Sequence, residues 1–102
     1  MNKQPVTLLY GRLGKNPELK YTVKSEPVCT LSIAENIEDS ASPIWHNVIV
    51  WGKQAEDCPV FLKKGSEVFV RGRINIKENK SKDGTYQKLV EIRAFSIGFT
   101  NE

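Results

Sequence analysis

Apolar and polar residues alternate along most of this chain, and a period of two fits half-buried β-strands rather than helices. From Pro27 to Glu35, Cys29, Leu31 and Ile33 fall on one face and Val28, Thr30, Ser32 and Ala34 on the other. Further on, Val68, Val70, Gly72, Ile74 and Ile76 alternate with Phe69, Arg71, Arg73, Asn75 and Lys77, giving a long strand with one basic face. Val6 to Leu13 reads as a first strand, interrupted by Gly11 and followed by a turn at Gly14-Lys15-Asn16-Pro17. Ile44 to Trp51 reads as a third, and its near-continuous apolar character implies cover on both faces. Asp83-Gly84 is a hairpin turn signal, after which Tyr86 to Ile97 returns as the last of five expected strands. Only residues 52 to 64, with Ala55, Val60, Phe61 and Leu62, suggest a helical turn or two, which Pro59 keeps short and Gly65 closes.

Three strands, a short helix and two strands joined by a long hairpin, in 102 residues, is the element order of an OB-fold. The expected fold is all-β: a five-stranded Greek-key barrel with one short helix between the third and fourth strands and a binding face on the second and third. A small SH3-like barrel would also absorb five strands but explains the helical insert less well. The length predicts a single domain over residues 1–102. With 39% hydrophobic and 26% charged residues the composition is globular, and no apolar run approaches the roughly 18 residues of a membrane span. The N-terminus, Met1-Asn2-Lys3-Gln4-Pro5, lacks the apolar stretch of a secretory signal, so a cytoplasmic location is expected.

Catalytic constellations are missing. Two cysteines, Cys29 and Cys58, and one histidine provide neither zinc-ligand spacing nor a disulfide framework, and both thiols are read as reduced. The stretch Gly11 to Asn16 fails the spacing of a phosphate loop, and no nucleophile and base can be assembled around His46. The expectation is a protein that is not an enzyme and uses no cofactor or metal. Net charge is only +3, but it is concentrated: residues 71 to 93 carry seven basic and three acidic groups, whereas residues 35 to 50 carry Glu35, Glu38 and Asp39 and no basic residue.

What remains is aromatic and basic. Trp45 and Trp51 stand six residues apart on one strand, an even separation, so both indoles project from the same face, about 20 Å apart at roughly 3.4 Å per residue. Indoles offer flat π-surfaces to nucleobases, and stacking contributes on the order of 1–3 kcal/mol per base without reading sequence. The phosphates of such a strand need positive charge, and Lys53, Lys63, Lys64, Arg71, Arg73 and Lys77 follow closely. Two tryptophans in a small barrel can equally be core. The opposite face, Ile44, His46, Val48 and Val50, is aliphatic enough to take that place, and His46 there reads as a packed or interface residue.

The stretch Trp45-His46-Asn47-Val48-Ile49-Val50-Trp51-Gly52-Lys53-Gln54-Ala55-Glu56, continued by Leu62-Lys63-Lys64-Gly65-Ser66-Glu67-Val68-Phe69-Val70-Arg71-Gly72-Arg73, closely resembles the bacterial single-stranded DNA-binding protein family. Gly11-Arg12-Leu13-Gly14-Lys15-Asn16-Pro17-Glu18-Leu19-Lys20-Tyr21, Leu31-Ser32-Ile33-Ala34, the Asp83-Gly84 hairpin and Val90-Glu91-Ile92 resemble its remaining motifs in order, so the likeness covers nearly the whole chain. The resemblance implies an OB-fold that binds single-stranded DNA with little sequence preference in replication, recombination and repair, usually as a homotetramer, a dimer being the other assembly considered. By the same resemblance, Trp45 and Trp51 fall on base-stacking positions, and Lys53, Lys63, Lys64, Arg73 and Lys77 fall at or near positions that touch the backbone. Phe61 sits where an aromatic is frequent, and His46 matches a histidine of subunit contacts.

Departures from the pattern limit what carries over. Many members hold further aromatics in the loop and hairpin that correspond to Asn36 to Ser42 and Lys77 to Asn79, and neither stretch has one here. Most members continue into a flexible tail with an acidic tip that recruits replication proteins; this sequence stops at Glu102, which reads either as a tail removed or as a tail-less variant. Two other readings stand beside DNA coating: an assembly module of the primosome type with weak nucleic-acid binding, and an RNA-binding module of the cold-shock kind. The apolar run Val6-Thr7-Leu8-Leu9-Tyr10, taken as an edge strand of an open barrel, is the candidate for part of a subunit interface with His46.

Overall fold

The computed structural model describes residues 6–39 and 41–99, apart from the side chains of Lys77, Asn79 and residues 86–89. Its elements are β1 (Val6–Leu13), β2 (Glu18–Tyr21), β3 (Pro27–Glu35), β4 (Ile44–Trp51), α1 (Lys53–Phe61), β5 (Glu67–Lys80) and β6 (Tyr86–Phe99). The sheet order is β1-β5-β6-β4-β3-β2, and a further pairing of β1 with β3 closes five of the strands into a barrel. All contacts are antiparallel except β4 with β6, where Asn47, Val48 and Ile49 face Glu91, Ile92 and Arg93 in parallel. That single parallel step, with α1 in the crossover, is the OB arrangement expected from the element order.

The inward faces follow the period-two reading. Leu9 and Leu13 of β1, Cys29, Leu31 and Ile33 of β3, Val48 and Val50 of β4, Val68 and Val70 of β5 and Ile92 of β6 form the core, with Ala55, Cys58 and Leu62 from α1 and its C-terminal end. Four features differ from expectation. A sixth strand, β2, pairs with β3 from Glu18 opposite Thr30 to Tyr21 opposite Pro27. It continues along the β3 edge that β1 leaves at Leu13 opposite Ile33, and its four residues are too few to show a period. Second, β4 is covered on one face only, since Trp45 is 57% and Trp51 39% exposed while Val48 and Val50 are buried. Third, the barrel is closed rather than open, because β1 pairs with β5 from Val6 to Arg12 and with β3 at Arg12 and Leu13, while the run Val6–Tyr10 keeps the edge expected of it. Along Val6–Gly11 its other side has no strand partner among the described residues. Fourth, Ile76 alternates in phase with the core yet is exposed, because it lies where the hairpin of β5 and β6 leaves the barrel body.

α1 runs to nine residues despite Pro59 at its seventh position. Pro59 gives up the amide that would bond the Ala55 carbonyl, and the helix ends two residues later at Phe61, capped where the Leu62 amide donates to the Cys58 carbonyl at 2.8 Å. β6 contains one irregularity. Arg71 faces Ser96 and Gly72 faces Ala94, so Phe95 is an extra residue with no opposite number on β5. Glycine is required at position 72, where a Cβ would stand 2.4 Å from the Arg93 carbonyl oxygen.

Candidate nucleic-acid interface

The outer face of β4 presents Trp45, Asn47, Ile49 and Trp51 in a row. Opposite them on β3 stand Ala34, Ser32, Thr30 and Val28, all small, so nothing on that strand rises over the indoles. The Trp45 ring lies across Gly14 so closely that a Cβ there would fall 2.3 Å from the indole Cζ3. Glycine in the first turn therefore makes room for an aromatic ring contributed from β4. Trp51 forms one wall of an open groove whose other wall is Thr22, Val23, Lys24 and Glu26, with Arg93 beside it.

Cations reach this face from β6 and β5. The Arg93 guanidinium carbon lies 6.0 Å from the centre of the Trp51 ring, and that of Arg73 lies 5.0 Å from the centre of Phe95. Arg73 and Arg93 are register partners, so the two cation–ring pairs adjoin across the β5–β6 ladder. Neither Arg93 nor Phe95 was singled out from the sequence. Reading faces along the last strand would have marked Arg93, two residues from Glu91 and opposite in phase to Ile92 and Ala94. Phe95, two residues on, keeps the same outward phase, and the bulge breaks that phase only after it, returning the partly buried Ile97 to the core side.

The other expected residues are spread more widely. Lys53 opens α1 and pairs with Asp57 at 2.8 Å, and this bond holds its ammonium above the ordinary lysine range. Lys63 and Lys64 ride on a turn tied to the first loop: the Lys64 amide donates to Asn16 Oδ1 at 2.8 Å and the Gly65 amide to the Leu13 carbonyl at 2.8 Å, next to the Gly14 on which Trp45 rests. Phe61 is exposed at the end of α1 and stacks on Phe99, centres 5.3 Å apart. Lys77 belongs to β5, but its side chain lies outside the described residues. Arg71 belongs to a different wall, beside Leu8 of β1 and Ser96 of β6.

That second wall holds the expected interface residues. Val6, Leu8 and Tyr10 project outward from β1, Leu8 with 76% of its surface exposed, and the Tyr10 ring lies 4.6 Å from that of Phe69. The Tyr10 hydroxyl donates to the Glu67 carboxylate, which raises its pKa, and Arg12 pairs with the same carboxylate at 2.8 Å. A recess of about 350 Å³ opens between Leu8, Tyr10, Glu35, Phe69 and Arg71. His46 is partly buried with Nε2 3.0 Å from Oε1 of Glu35, which links it to this wall. Inside the barrel both thiols are free and buried; burial pushes Cys58 up to about 12 and raises Cys29 as well, so neither is a nucleophile near neutrality. Among the described residues no group of three His, Cys, Asp or Glu side chains is placed to hold a metal, and no helix is long and apolar enough to cross a membrane.

Residues 4–100 match the model of the Single-strand binding protein family. The chain is 35% identical over 89 residues to the single-stranded DNA-binding protein 1 of Chlorobaculum tepidum, covering 78% of this chain and 55% of that protein. It is 36% identical over 104 residues to the single-stranded DNA-binding protein 2 of Clostridium acetobutylicum, covering 97% of this chain and 76% of the relative. With the single-stranded DNA-binding protein A of Bacillus subtilis it shares 34% over 97 residues, 90% of this chain and 56% of that one. The chain thus spans little more than half the length of two of these relatives.

Proposed function

Since the chain belongs to the single-strand binding protein family, we propose that it binds single-stranded DNA without reading its sequence, in replication, recombination or repair. Bases stack on Trp45 and Trp51, and phosphates meet Arg73 of β5, Arg93 of β6 and the lysines at both ends of α1. The observation that carries this reading is the exposure of both indoles on one face of β4, with Arg93 beside Trp51. The role is binding rather than catalysis, exercised in the cytoplasm. A second copy of the chain is the proposed occupant of the β1 wall, where Leu8, Tyr10 and Phe69 are exposed together, in a homotetramer or a dimer.

The test is intrinsic tryptophan emission during titration with poly-dT at low and then at higher salt. Binding on this face quenches the emission, and the quenching midpoint moves to higher DNA concentration as salt rises. Emission unaffected by poly-dT at low salt would overturn the reading and leave the assembly module as the better account.

A further inference from the structure

Where the resemblance leaves two aromatic positions of the DNA path empty, the barrel supplies a ring at a third place. Phe95 is the extra residue of the β6 bulge and, two residues from Arg93, projects outward with 43% of its surface exposed. Ile49 of β4 faces Arg93 of β6 in parallel register, so two residues further on Trp51 and Phe95 lie at corresponding heights on the outer wall. The Arg73 guanidinium covers one face of the Phe95 ring at 5.0 Å, the arrangement in which a ring and a cation can take a base and its phosphate together.

A bulge leaves backbone groups without ladder partners, and here a side chain from α1 takes them up. Gln54 donates from Nε2 to the Phe95 carbonyl at 2.9 Å and accepts at Oε1 from the Ile97 amide at 3.2 Å. One amide thus satisfies an acceptor and a donor on either side of Ser96 and holds the bulged backbone directly after the Phe95 ring. Resting on the proposal that the tryptophan wall binds single-stranded DNA, we infer that Phe95 is a further base-stacking platform, paired with Arg73 and positioned by Gln54, which carries the strand from Trp51 on β4 across β6 toward β5. The charge of the wall agrees, since Arg73 and Arg93 flank the ring's approach and Glu91, in phase with Arg93, is buried, while Glu26 stands across the groove from Trp51.

Poly-dT affinity of the Phe95→Leu variant, which keeps apolar volume and removes the ring, tests the inference. Binding weakens about tenfold, with the slope of log K against log salt unchanged because the ring bears no charge. If Trp51→Ala weakens binding and Phe95→Leu does not, the platform is refuted and the binding face stands; if neither does, the binding reading itself has failed. A second route does not depend on affinity: with Trp45→Phe and Trp51→Phe in place, Phe95→Trp puts the only indole at the bulge. Its emission is quenched by poly-dT if the platform exists, and an unchanged emission overturns it. For Gln54, the Gln54→Leu change weakens binding in the parent chain but adds nothing in Phe95→Leu. Equal losses in both backgrounds would show that Gln54 supports the fold at large and does not position the ring.

Discussion

On the wall built by β4, β6 and β5, Arg93 and Arg73 lie beside the rings of Trp51 and Phe95; on the wall built by β1 and β5, Arg12 is closed onto Glu67 instead. Both walls carry exposed aromatics on the same strands' outward phase, and β5 contributes to both, with Phe69 facing Tyr10 and Arg73 facing Arg93. The difference lies in where charge is neutralised. On the β1 wall the carboxylate of Glu67 takes both the Arg12 guanidinium and the Tyr10 hydroxyl, leaving Leu8, Tyr10 and Phe69 as a largely apolar surface, with Arg71 among them, suited to another protein. On the tryptophan wall the cations are kept against aromatic faces, which suits a polyanion with flat bases. One barrel can therefore hold two partners of opposite chemistry without either competing for the other's residues.

The largest expected effect breaks the apolar wall alone. Leu8→Lys places a like charge opposite Arg71 in the surface proposed to be covered by a second copy, and an uncompensated buried charge costs about 3–5 kcal/mol. Sedimentation of the variant then shows smaller species than the parent, while poly-dT still quenches its tryptophan emission. An unchanged sedimentation profile would remove β1 from the interface. Next in size, Trp51→Ala breaks the other wall and weakens poly-dT binding by about 1–3 kcal/mol. Its assembly state stays that of the parent; a change in both properties would mean that the two walls are not independent.

Much of this division was legible before any coordinates. Period two placed Cys29, Leu31, Ile33, Val48, Val50, Val68 and Val70 inward, and the even spacing of Trp45 and Trp51 placed them together on the outer face. Two kinds of information were not. The short β2 has no period of its own and exists because β3 offers its edge beyond the point where β1 turns away. Phe95 follows the outward phase of Arg93, but the bulge at that position is held by a glutamine on α1, a contact forty-one positions away along the chain that no local pattern announces. Charge neutralisation was equally hidden. Arg12, Lys53 and Arg71 look alike in a sequence, yet Arg12 is held by Glu67, Lys53 by Asp57, and Arg71 is turned to the β1 wall.

A smaller effect sharpens the contrast between the two kinds of arginine. Arg93→Gln removes one cation from the tryptophan wall, and the slope of log K against log salt falls by about 0.7, the contribution of one single-strand phosphate contact. Arg12→Gln, on the other wall, leaves the slope where it was. Equal changes in both variants would mean that DNA wraps across β1 as well.

The smallest effect lies outside both walls, at the tip of the hairpin. There the hydroxyls of Ser81 and Thr85 and the Thr85 amide all donate to the Asp83 carboxylate, and Gly84 takes a positive φ of 90° to close the turn. Hydrogen bonds to the charged form, the one from Ser81 first, lower the Asp83 pKa from its ordinary value of 3.8 to about 2. A carboxyl whose folded pKa is depressed stabilises the fold above its unfolded value and loses that contribution as pH falls through the folded one. The tip is therefore fully held above about pH 4 and loosens as pH drops toward 2. Amide hydrogen exchange at Thr85, corrected for the intrinsic pH dependence, accelerates over that interval in the parent but not in Asp83→Asn. At Val48 and Val68, in the barrel body, protection does not follow the Asp83 titration. A loss of protection at all three positions with the same midpoint would show that the hairpin tip and the barrel unfold as one unit, so that neither wall could be altered at its edge without disturbing the other.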